Sequence, residues 1–89
     1  GSDHEDLEAL ALVRSVTESL QEAPPGAFRQ EALLLMRLGR RGETETALDR
    51  YQEALEREEM KYSQRPGDWS EVLSYLASEK EWVARTRTR

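Results

Sequence analysis

The sequence predicts an all-α protein, a small antiparallel four-helix bundle, and three observations carry that reading. Glycine and proline, apart from Gly1, fall in only three short stretches, at 24–26, 39–42 and 66–67. The four pieces between them repeat apolar residues at the three- and four-residue spacing of an amphipathic helix. Strand signals are absent from all four. At 89 residues the chain can bury only about 60–65% of its unfolded surface, enough for one modest core. Residues 3–85 are therefore expected to form a single helical domain, in which antiparallel helices joined by short turns bury their stripes against one another.

The first helix is expected over 3–21. Its stripe is Ala9, Leu12, Val13, Val16 and Leu20, widened by Leu7 and Leu10, and Asp3, Glu5 and Asp6 put negative charge at the favourable end of the helix dipole. Ala23-Pro24-Pro25-Gly26 ends it, since proline lacks an amide donor and restricts the residue before it. The second helix, 27–38, holds Phe28, Ala32, Leu33, Leu34, Leu35, Met36 and Leu38. Its apolar groups lie on nearly all sides, so it should be the most buried of the four. Gly39-Arg40-Arg41-Gly42 reads as a helix stop whose two arginines meet the last carbonyls.

The third helix, 43–62, places Ala47, Leu48, Tyr51, Ala54, Leu55 and Tyr62 on one face and a dense set of charges on the other, a solvated surface. After Pro66-Gly67, Asp68 is a good N-cap, with Glu71 three positions on as in a capping box. The fourth helix, 69–85, aligns Trp69, Val72, Leu73, Leu76 and Val83, with Tyr75 and Trp82 beside them. Residues 86–89 are left as a basic tail. Gly1-Ser2 has the form of a protease-cleavage scar, which predicts a segment cut from a longer chain.

Composition narrows the function classes. The absence of cysteine removes disulfides, thiolate nucleophiles and Cys-ligated zinc, and it fits a reducing, intracellular and cytoplasmic setting. No apolar run approaches the roughly 18 residues of a membrane span. The formal charge is −5 but uneven. Lys80 to Arg89 holds four bases and one acid, a net of +3, so the preceding residues carry −8. A body so acidic repels phosphate backbones, and no nucleic-acid surface is expected on it. Three terminal arginines are too few for a stable electrostatic anchor.

Catalytic motifs are missing as well. His4, the sole histidine, has no serine or cysteine nucleophile motif to serve. Gly39-Arg40-Arg41-Gly42 lacks the length and the lysine of a phosphate loop. Glu58-Glu59 and Glu43/Glu45 lie on charged helix surface, where nothing tunes a carboxylate for acid–base work. The sequence implies no enzyme, no cofactor and no metal site.

Residues 28–61 resemble a tetratricopeptide repeat, two antiparallel helices in about 34 residues. Gly42 at the inter-helix turn, Ala47, Tyr51, Ala54 and Leu55 follow the family's spacing of glycine, small residue, aromatic and small residue. Leu34 fits its leucine, and Leu38 stands where an aromatic is usual. Glu31 replaces the usual tryptophan, Leu35 a small residue, and Glu59 the terminal proline. Bundles of the microtubule-interacting-and-transport type look similar. The resemblance implies a non-catalytic module, an adaptor or scaffold part, that binds a peptide or helix of a partner protein. By position in the repeat, Arg29, Leu33, Met36 and Arg40 would line the ligand surface, two guanidinium groups beside an adaptable thioether. Another reading from the residues is self-association or scaffold docking through helix four, where Trp82 joins Trp69 and Tyr75 on a broad aromatic arc. That reading allows a homodimer.

Overall fold

A computed structural model describes residues 2–19 and 23–87, with side chains described over 4–18 and 23–87. The described residues form four α-helices: α1 (Ser2–Ser19), α2 (Pro25–Arg37), α3 (Arg41–Ser63) and α4 (Ser70–Arg87). No strand occurs among them. The all-α class is thus as the periodicity requires. Gly1, Leu20, Gln21, Glu22, Thr88 and Arg89 lie outside the described residues. Two compact units divide the chain, Gly1–Tyr51 and Gln52–Arg89, and α3 is continuous through the boundary.

In the first unit, α1 packs on α2, and here the expected face is wrong. The buried residues of α1 are Asp6, Leu10 and Thr17, four and seven apart, rather than the stripe through Ala9, Leu12 and Val16. The helix is rotated by roughly a quarter turn from the orientation its apolar residues alone would choose. Leu10 is buried on this face, and two ion pairs accompany it. Asp6 Oδ1 lies 3.5 Å from Arg37 Nη2, and Arg14 Nε donates to Glu31 Oε2 at 3.2 Å. Both pairs tie α1 to α2 through the edge of α1 that carries Asp6 and Arg14.

Helix α2 begins at Pro25, two residues before the expected start. Proline at the first helical position loses no hydrogen bond and already has helical φ; Pro24 before it is extended, with φ −62° and ψ 144°. The helix buries Phe28, Glu31, Ala32, Leu34 and Leu35 but leaves Met36 exposed, so it is not apolar-covered on all sides. It ends in a Schellman motif: Gly39 N–H donates to Met36 C=O at 3.1 Å and Arg40 N–H to Leu35 C=O at 3.0 Å. Gly39 has φ +74°, which a residue with a Cβ adopts at a cost. The glycine at the turn is therefore Gly39, and Gly42 is the second residue of α3. Arg40 meets the final carbonyls through its own amide, not its guanidinium.

The Arg40 carbonyl opens α3 by accepting the Thr44 amide at 2.9 Å and the Thr44 hydroxyl at 2.7 Å. Ala47, Leu48, Tyr51, Ala54 and Leu55 are all buried, as their spacing requires, while Tyr62 is only half-buried. In the second unit Lys80 Nζ pairs with Glu59 Oε1 at 3.0 Å, joining α4 to the end of α3. Tyr62 and Trp69 meet at 5.1 Å between ring centroids, and Trp69 Nε1 donates to Pro66 C=O at 3.3 Å. Gly67, φ +121°, passes under that indole, and a Cβ there would touch the ring at 3.5 Å. Asp68 caps α4 by accepting the Ser70 hydroxyl at 2.6 Å and the Ser70 amide at 3.1 Å. Leu76 and Val83 are the buried residues of α4. The helix continues through Thr86 and Arg87, so half of the expected tail is helical.

Candidate functional site

Arg29, Leu33 and Met36 fall on one face of α2 at helical spacing, and the structure places them at graded depth. Arg29 and Leu33 are half-buried and Met36 is 40% exposed. Arg40 does not continue that line, because α2 ends at Arg37. Its backbone closes one helix and opens the next, and its Nη1 lies 3.4 Å from Glu43 Oε2. Trp82, on α4 in the second unit, is half-buried. Tyr75 is the aromatic of that helix most open to solvent, at 60%.

Two features of the first unit were not foreseen. One is a charge cluster around Glu31, which stands where the repeat pattern has tryptophan. Its carboxylate is only 3% exposed, inside the most apolar stretch of the chain. Arg14 of α1 donates to Glu31 Oε2 and reaches Glu43 Oε2 at 3.5 Å, while Arg50 Nη1 of α3 stands 3.9 Å from Glu31 Oε1. A buried carboxylate is tolerable only with partners of this kind. The cluster floors an open cleft of about 220 Å³ bordered by Arg14, Glu18, Glu31, Glu43, Thr46 and Arg50. Chemically it is an ion-pair clamp that fastens α1, α2 and the start of α3. The signal in the sequence was a lone acid within an apolar helix, which demands bases elsewhere.

The other feature is the face of α1 that rotation leaves outside. Leu12 is 71% exposed, and Val16, one turn on, is exposed too, with Ala9 and Val13 half-buried along the same stripe. Glu5 and Glu8, both exposed, continue and border it toward the N-terminal end. Leu7 is exposed on the other side of the helix. Among the described residues no cluster of His, Asp and Glu could hold a metal ion, and no helix is long and apolar enough to cross a membrane. His4 is exposed, 3.2 Å from Glu8. Comparison with family models, curated proteins and solved structures gives no match for this chain.

Proposed function

We propose that this chain is a non-catalytic protein-interaction module that binds a helix or peptide of a partner. The observation behind the proposal is the solvent-facing apolar stripe of α1, Leu12 and Val16 flanked by Ala9 and Val13. Scattered exposed leucines are ordinary, but apolar side chains aligned along one helix face make a seam for a second helix. The resemblance of 28–61 to a tetratricopeptide repeat supports the same class of function, with the half-buried Arg29 and Leu33 and the exposed Met36 as a second surface. Arg40 lies in the α2–α3 turn beyond the end of that helix, with its exposed guanidinium 3.4 Å from Glu43.

The test is a titration of the 15N-labelled chain with an uncharged amphipathic helical peptide of leucine, alanine and glutamine, followed by amide shifts. Perturbations centred on Ala9, Leu12, Val13 and Val16, and lost in Leu12→Glu, are expected. Perturbations confined to α2 would move the site to Met36, and a complete lack of perturbation would defeat the reading. An alternative is self-association through α4, favoured by the exposure of Tyr75. Sedimentation equilibrium separates the two, since a dimer that Tyr75→Ala dissociates would support the alternative.

A further inference from the structure

We infer that the partner seated on α1 is a basic amphipathic helix, one whose apolar stripe is bordered by lysine or arginine. The inference rests on the reading of α1 as a docking face and goes on to name what docks. Helix α1 holds five acidic residues, Asp3, Glu5, Asp6, Glu8 and Glu18, and one arginine. Their placement matters more than their number. At 100° per residue Glu5 lies on the line of Ala9, Leu12 and Val16, and Glu8 lies one turn before Leu12 on the flank of the stripe away from the buried side. Arg14 sits far around the helix and is held by Glu31 and Glu43 at 3.2 and 3.5 Å. Asp6, nearer the buried side, is already paired with Arg37. Glu8 pairs with the exposed His4.

A helix lying along this seam therefore meets two exposed carboxylates and no lysine or arginine from α1, its nearest base being the His4 imidazole beside Glu8. A second copy of this chain is a poor occupant. In parallel register it sets Glu5 and Glu8 against their own equivalents, and in antiparallel register it offers the serine-bearing end of α1, which has no base on that face. Anionic lipid and nucleic acid are repelled by the same two residues. A helix with leucine-type residues to cover Leu12 and Val16, and with cations one turn away to meet Glu5 and Glu8, satisfies both halves of the surface. The stretch from Glu5 to Val16 is about 16 Å long, so three to four turns of partner would cover it.

The experiment uses the whole chain and two fluorescent helical peptides of about 14 residues, identical in their leucine stripe, one flanked by lysines and the other by glutamates. Anisotropy at low salt is expected to give the lysine peptide an affinity about tenfold above the glutamate peptide, and raised salt should shrink that preference. The double substitution Glu5→Lys and Glu8→Lys should invert it. Leu12→Glu should remove binding of both peptides while helicity and melting stay as in the parent chain. Equal affinity for the two peptides, or a preference that survives charge reversal, overturns the basic partner yet leaves α1 as a docking face. Binding unchanged by Leu12→Glu, or no binding of the lysine peptide, overturns it together with that site. A neutral-pH dimer dissociated by Leu12→Glu assigns the stripe to a second copy and overturns it too.

Discussion

Glu31 is a buried carboxylate that links α2 to the helices on either side of it in sequence. Its carboxylate lies within an apolar segment; Arg14 hydrogen-bonds one oxygen, while the other accepts no hydrogen bond and has only the charge of Arg50 at 3.9 Å. Arg14→Ala should therefore destabilise the chain by about 1–3 kcal/mol in urea denaturation, since it leaves a buried acceptor short of its donor. The paired replacement Arg14→Leu with Glu31→Leu should recover most of that loss, as buried ion pairs often yield to apolar residues. An Arg14→Ala variant as stable as the parent would show the clamp to be energetically idle. Asp68 acts at the same scale. The Ser70 hydroxyl, and after it the Ser70 amide, hold its carboxyl below the ordinary aspartate value. A folded value below the unfolded one means that the contribution is complete above about pH 4 and is lost as pH falls through the folded value. The Ser70 amide resonance should follow that loss at acid pH, and in Asp68→Ala it should show no such titration.

At the scale of elements, the contrast between α1 and α3 follows from what each buries. Helix α3 sets Ala47, Tyr51 and Ala54 inward with two small residues around one large ring, a packing that leaves little freedom to rotate. Tyr51→Ala and Leu34→Ala should each cost about 2–5 kcal/mol in thermal or chemical melts. Leu12→Ala, by contrast, should change stability by no more than about 0.5 kcal/mol, because the residue has little contact to lose. A large loss at Leu12 would restore the face expected from the sequence. The α2–α3 turn depends on one backbone angle. Gly39→Ala retains space for its Cβ but forces φ +74° on an L-residue, and a cost of about 1–2 kcal/mol is expected in the same melts.

Over the whole molecule, net charge is expected to oppose association between copies at neutral pH. The chain carries −5 at neutral pH with an isoelectric point near 4.9, and its exposed apolar residues include Leu12, Met36, Met60 and Tyr75. Repulsion between copies weakens as that charge is titrated away. Sedimentation equilibrium should find monomer at pH 7 and association as pH approaches 5, less pronounced in Leu12→Glu. Equal association at both pH values would show that charge does not set it.

Helix number and helix type were legible in the sequence because they depend on local chemistry: period, proline placement and turn glycine act within a few residues of themselves. The buried face of α3 was legible for the same reason, since every candidate on it is apolar and no charge competes. Asp68 was legible as a helix-capping residue. The orientation of α1 was not. Ala9, Leu12, Val13 and Val16 form its better apolar stripe, and only the tertiary structure shows that the face of Asp6, Leu10 and Thr17 turns inward instead. The place of Arg40 was not legible either: it lies beyond the end of α2, and its backbone closes one helix and opens the next. Sequence alone determined what each segment becomes; contacts between residues distant along the chain decided which surfaces remain for a partner, because the face a helix buries depends on what its neighbours present to it as well as on its own apolar residues.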